Sequence, residues 1–219
     1  MLGSTWGPFV DMSGVTVSVS TDDTVTQVLA GLRVMSGPAP PWHSGTFDVA
    51  IVDDHVWSWG DLASLDFRQL SWRLAYLLIR FGKRRFSCLT RIAPLLCAVL
   101  PNRLCVTITG LKEKLTECVI IYLPRTVDDH VMDVGAHFEA YLRESEGRRL
   151  DLAEDRLFVS TWPGIVVADT ISNWIHKIMS GASLSWQTYC AYDLKSVVVS
   201  WMAANGVSEE DIIRDMWAS

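Results

Sequence analysis

An α+β fold, mostly helical with a small antiparallel β-sheet, is what this sequence predicts. Apolar residues recur at three- and four-residue intervals in several segments, the mark of amphipathic helices. Two apolar, β-branched runs, Leu104–Thr109 and Cys118–Tyr122, flank a polar stretch, Gly110–Glu117, that reads as a turn between paired strands. With 219 residues, 49% of them hydrophobic and 20% charged, the chain can bury a full core.

The elements follow in chain order. Val15–Ser20 alternates as a strand does, and Asp22-Asp23-Thr24 followed by Val25, Val28, Leu29 and Leu32 predicts a short capped helix. Ser36-Gly37-Pro38-Ala39-Pro40-Pro41 ends any helix and stiffens the chain, so the domain boundary is placed there: residues 1–41, then 42–219. From Asp66 the spacing of Leu70, Leu74, Leu77 and Leu78 predicts a helix to Phe81, with Gly82 as its stop. A second helical segment is expected from Arg85 through Leu89 and Ile92 towards Leu96, kinked or shortened by Pro94. After the strand pair, closed by Pro124, helices are expected over Val131–Arg143, Ala168–Met179, Thr188–Ala204 and Ser208–Met216. Leu157–Ser160 reads as a short strand, and Ser208 with Asp211 as a weak cap.

Composition excludes some classes and qualifies others. No apolar run approaches the roughly 18 to 20 residues of a membrane span, and no basic region precedes an apolar core at the N-terminus, so neither a membrane nor secretion is expected. Cys88, Cys97, Cys105, Cys118 and Cys190 are odd in number, widely spaced and without a Cys-x-x-Cys pair; they read as reduced core residues, not as a metal site. Of ten tryptophans, including Trp57, Trp59, Trp72 and Trp186, most are expected in the core. The net charge of −6 hides a division along the chain. Arg68–Lys114 holds ten cations against the single acid Glu113, a balance of +9, which leaves −15 on the rest. Any polyanion would meet one basic surface on an acidic body.

Several segments carry more specific chemistry. Arg73–Ile92 combines an apolar helix, a Gly-containing turn and the run Lys83-Arg84-Arg85, with Leu89 four residues after Arg85. Lys112 and Lys114 stand on the hairpin turn. Asp169–Met179 forms an amphipathic segment that buries Ile171, Trp174, Ile175 and Ile178 and leaves His176 and Lys177 at its edge. Ala191-Tyr192-Asp193-Leu194-Lys195-Ser196 follows, then Trp201, Gly206-Val207-Ser208, Ile212 and Trp217-Ala218-Ser219. In this order the segments resemble the catalytic domain of tyrosine recombinases over Thr46–Ser219, and above all those of DIRS-type retroelements.

The resemblance implies the DNA breaking-rejoining catalytic fold and an inherited role in DNA integration or recombination, in the nucleus or elsewhere inside a cell. It implies double-stranded DNA as partner, a homo-oligomer on DNA as one arrangement, and no cofactor or metal. Residues 1–41 would be the remnant of the N-terminal DNA-clamping region. The family's first catalytic arginine falls on Arg85, with Arg84 the alternative because Gly82 stands one residue early; Lys83, Arg84, Arg85 and Arg91 would contact DNA. A guanidinium suits that role because its planar fork grips two phosphodiester oxygens and offsets charge that develops in transfer. The family's lysine, which protonates the departing 5′ oxygen, falls on Lys112 or Lys114.

At the His-x-x-Arg box this chain departs from the family. Tyr192 stands for the histidine and Lys195 for the arginine. A phenol titrates near pH 10 and replaces imidazole poorly in acid-base work, and an ammonium lacks the bidentate fork. Losing one preorganised donor costs on the order of 10²- to 10³-fold in rate. Trp217 resembles the residue that orients the scissile phosphate, one position closer to Ile212 than is usual. In the family the nucleophilic tyrosine follows shortly after; here Ser219 ends the sequence. The expectation is thus a C-terminally truncated, catalytically inactive domain that still binds DNA. The alternatives are a domesticated protein-interaction module without DNA binding, and an active recombinase completed in trans.

Overall fold

The computed structural model describes residues 9–10, 16–17, 46–111, 114–149, 155–160 and 166–207. The chain divides into two compact units, Met1–Ser44 and Gly45–Ser219. In the first, β1 (Phe9–Val10) pairs antiparallel with β2 (Thr16–Val17), Phe9 opposite Val17. The expected helix over residues 22–32 and the Pro-rich linker lie outside the described residues, as does the helix over 208–216.

The second unit opens with a helix that the periodicity did not announce, α1 (Val49–Trp57). Asp48 caps it, its carboxylate accepting from the Ala50 N–H at 2.9 Å, and Val49, Val52 and Val56 form its buried stripe. Its C-terminal carbonyls are met from another helix: Arg73 donates to Val56 O at 2.9 Å and to Gly60 O at 2.8 Å. Arg73 has no exposed surface, so this cation stabilises a helix end inside the protein.

The centre of the unit is α2 (Phe67–Gly82), which packs against five other elements. Its start follows from Asp66 and Gln69, which form a reciprocal capping box: the Gln69 N–H donates to Asp66 Oδ1 at 2.7 Å, and the Asp66 N–H to Gln69 Oε1 at 3.2 Å. Leu70, Leu74, Leu77 and Leu78 are buried as their spacing predicts, but Arg73, Ala75, Tyr76, Ile79 and Arg80 are buried as well. The helix is covered on nearly every side, which places it in the core.

The second helical segment is corrected. Only α3 (Phe86–Leu89) is helical; residues 94–96 form a 3₁₀ turn, and Ile92 bridges to Ile108. Pro94 lacks the N–H that helix continuation needs. The chain before it is drawn to the sheet, with Ala93 N–H donating to Thr107 O and Thr109 N–H to Arg91 O, both at 3.0 Å.

The three-stranded antiparallel sheet has the order β3 (Ala98–Val99), β4 (Arg103–Leu111), β5 (Lys114–Pro124). Arg103 lies opposite Pro124, and Leu111 opposite Lys114 after an irregularity at Gly110, whose φ is +63°. A glycine in the left-handed region is what such a bulge requires. Leu104, Val106, Ile108, Val119, Ile121 and Leu123 bury one face, while Ile120 and Tyr122 remain exposed on the other.

Three helices complete the unit. α4 (Val134–Arg149) starts three residues later than expected and runs longer, because Asp129 and Asp133 accept the N–H groups of Val131, Met132 and Gly135 and hold the preceding residues in turns. α5 (Ala168–Gly181) buries Ile171, Ile175, Ile178 and Met179, with Trp174 half-buried. α6 (Ala191–Ala204) begins three residues after the expected Thr188. Leu157–Ser160 shows a single bridge, at Val159. The aromatic and thiol expectations also change. Trp57, Trp186 and Trp201 are exposed, and Trp59, Trp72 and Trp174 half-buried; Cys118 is exposed and the other cysteines are half-buried. An indole carries an N–H that favours a place at the margin of the core, where one end of the ring stays wet. Among the described residues no helix is long and apolar enough to cross a membrane.

Candidate functional site

Two chain segments build the site: the link between α2 and α3, and the first turns of α6. α2 stops at Lys83, which adopts a left-handed conformation with φ 53° and ψ 21° and donates its N–H to Ile79 O at 2.9 Å. A side-chain-bearing residue is rarely placed there, so the turn is held by its surroundings, and Lys83 is only 3% exposed. The chain then extends into Arg85, the N-cap of α3, whose carbonyl accepts from Cys88 N–H at 2.9 Å. Arg84 is buried at 8% exposure, and Arg85 faces solvent.

The box segment is positioned by its own polar residues. The Cys190 N–H donates to Asp193 Oδ2 at 2.7 Å, which fixes the start of α6, and the Ala191 N–H donates to His176 Nε2 of α5 at 3.4 Å. His176 therefore supports the box from behind. Ala191 and Leu194 point into the core, which turns Tyr192 and Lys195, three residues apart, onto one face. The Tyr192 ring lies 4.7 Å from that of Phe86, centroid to centroid, with planes inclined by 54°.

This contact brings the face to the arginines. The Lys195 ammonium is held below the ordinary lysine pKa, first by burial, then by Arg85 and, further, Arg84; Cys88 acts in the opposite direction. Like charges lower a lysine only when they are near. The Phe86–Tyr192 contact thus sets the exposed Arg85, next to Phe86 in the chain, beside Lys195, and a phosphate placed there would meet two cations.

Other expected site residues are placed differently. Lys83 and Arg84 are buried, which corrects their assignment to an open basic surface. Arg91 donates a side-chain hydrogen bond to Gly110 O and its own carbonyl accepts from Thr109 N–H at 3.0 Å, so it fastens the β4–β5 hairpin to the link after α3. Lys112 and Trp217 lie outside the described residues; Lys114 opens β5 opposite Leu111, and its side chain is likewise outside the description. The sequence reading missed Phe86 as the brace of Tyr192, Cys88 as a neighbour of Lys195, and Asp193 as the cap. Only Asp193 left a signal, an acid three residues after Cys190.

No protein-family model matches the sequence, and no curated protein matches it. Solved structures do. The XerH site-specific recombinase bound to its difH substrate, in a pre-cleavage complex, aligns over 93% of this chain at a TM-score of 0.61 and 13% identity. XerA recombinase aligns over 91% at 0.58 and 13% identity, covering 67% of its own chain. FLP recombinase, in complex with a Holliday junction, aligns over 88% at 0.52 and 11% identity, covering 52% of its chain. The chain spans 60% of the length of the XerH chain it matches. The fold is that of the tyrosine recombinases, an arrangement mostly of helices with a small antiparallel sheet.

Proposed function

We propose that this protein binds DNA through its phosphate backbone, in a role derived from DNA recombination, and that it does not carry out strand transfer. The observation that supports this reading is that the Phe86–Tyr192 contact sets the exposed Arg85 beside Lys195 at the start of α6. Backbone recognition needs cations in a fixed place, and these two provide charge-assisted contacts to phosphate oxygens. Recombinases of the same fold are seen with a difH substrate and with a Holliday junction, which makes DNA the natural polyanion.

The loss of chemistry rests on the residues at the box. Tyr192 puts a phenol where the family has the imidazole that serves in acid-base work, and Lys195 replaces a two-pronged donor with a point charge. Phosphate can be held by such a site while the transition state is poorly served. On this reading the inherited element is a recombinase of the DIRS retroelement type, residues 1–41 are what remains of a DNA-clamping region, and copies of the chain assemble on DNA. A protein-interaction module is the second reading, favoured by the exposed Trp57 and Trp186.

Binding to a generic duplex across a salt series, with the wild type against Arg85→Ala and Lys195→Ala, tests the proposal. We expect salt-sensitive binding that each variant weakens about tenfold, the worth of one charge-assisted contact. Absence of binding at low salt would overturn it in favour of the interaction module. Incubation with a nicked suicide duplex should yield no covalent protein-DNA adduct, and recovery of one would overturn the claim of inactivity.

A further inference from the structure

We propose that Tyr192 is a stacking platform for a nucleobase, and that the site formed with Arg85 and Lys195 takes an unpaired segment of DNA in preference to continuous duplex. The inference rests on the preceding reading that the two cations hold phosphate, and it names the form of nucleic acid held there.

The ring is unusual in being both fixed and open. Tyr192 is 57% exposed, yet it leans on Phe86, itself 2% exposed, at 4.7 Å between centroids. The capped first turn of α6 fixes its backbone, with Asp193 accepting from the Cys190 N–H. A ring braced on one side and bare on the other loses little conformational freedom when a flat partner covers it.

Its neighbours supply the rest of a nucleotide site. Residues three apart on a helix stand about 5–6 Å from each other at Cβ, comparable with the separation of a base from its own phosphate. Lys195 occupies that position relative to Tyr192, and the exposed Arg85 adjoins Lys195. A phosphate on the two cations would thus carry its base to the phenol ring. Within a duplex each base is covered above and below by its neighbours, so the ring gains nothing unless the stack opens. An unpaired base offers its face directly, whatever its identity.

The test measures binding of a labelled single-stranded oligodeoxynucleotide of mixed sequence, and of its duplex, to the wild type and to Tyr192→Ala, Tyr192→Phe and Arg85→Ala. The single strand is expected to bind more tightly than the duplex. Tyr192→Ala should weaken single-strand binding roughly tenfold or more while changing duplex binding less than about twofold, and Tyr192→Phe should keep both. Arg85→Ala should weaken both. Stacking is overturned, with phosphate binding intact, if the strand and duplex bind in a salt-dependent way but Tyr192→Ala changes neither or both equally. If the wild type binds neither at low salt, the phosphate reading fails and the stacking site with it.

Discussion

His137 lies on α4 with no exposed surface, and its Nδ1 is 2.8 Å from the Asp133 carbonyl, to which it donates. Its Nε2 is buried without a hydrogen-bond partner among the described residues. Burial above all, aided by the Arg73 charge and opposed by the Asp133 hydrogen bond, holds its pKa down to about 4. In the unfolded chain the same imidazole titrates near 6.5, so between these values the unfolded state binds more protons and stability falls as the pH drops. The loss begins near pH 6.5 and is complete below about pH 4, where it amounts to ~3 kcal/mol. Urea unfolding of wild type and His137→Gln at pH 7 and pH 4.5 should show a steep loss in the first and a shallower one in the second; His55, also lowered by burial, keeps some slope in the variant. Equal slopes would refute the assignment. None of this was visible in the sequence, where His137 falls in a segment of weak periodicity. Arg73 was visible only as one more positive charge, and its place under Val56 and Gly60 depends on α1, which is distant in the chain.

Among the elements, those with long apolar periods were legible: α2 and α5 start within a residue of their expected positions because leucine and isoleucine stripes and the Asp66 cap act locally. Where a side chain beyond the apolar pattern decides the boundary, the period misplaces it. Asp133 and Asp193 shift the starts of α4 and α6, and Pro94 with the sheet dissolves the helix expected past Leu89. What joins the elements is polar and long-range, and Arg80 is the clearest case. It forms an ion pair with Asp53 of α1 at 3.3 Å, Tyr76 donates to the same carboxylate, and the Trp201 ring of α6 lies 4.4 Å from the guanidinium. Asp53→Ala should therefore cost ~3 kcal/mol, the low end for breaking a buried pair because Asp53 keeps some contact with water. Arg80→Met removes the stranded charge, so the double variant should be less destabilised than the sum of the singles by about 1 kcal/mol or more. Additive costs in urea melts would show that the ion pair contributes little.

On the scale of the whole molecule, the fold restricts how much of the sequence's positive charge reaches a ligand. Arg68–Lys114 carries +9 within a chain of −6, but Arg73 caps α1, Arg80 is paired with Asp53, Lys83 and Arg84 are buried and Arg91 fastens the hairpin. A linear tally of charge cannot distinguish such internal uses from a surface, which is why the sequence predicted one basic surface over Arg68–Lys114. What remains near the start of α6 is the exposed Arg85 beside Lys195, on a protein otherwise rich in carboxylates. Two cations neutralise about two phosphates, and each phosphate contact on B-DNA contributes about −0.9 to the slope of log K against log salt concentration. A slope near −1.8 is therefore expected for duplex binding, with affinity falling by ~12-fold from 50 to 200 mM salt, much less than the 10³- to 10⁵-fold loss of proteins that make 6 to 10 phosphate contacts. The acidic remainder should keep binding weak and confined to that site, because any DNA laid further across the surface meets like charge. Fluorescence anisotropy on one labelled duplex at five or so salt concentrations gives the slope directly. A value of −6 or steeper would mean that DNA follows a long basic track, and that cations beyond the start of α6 do most of the holding.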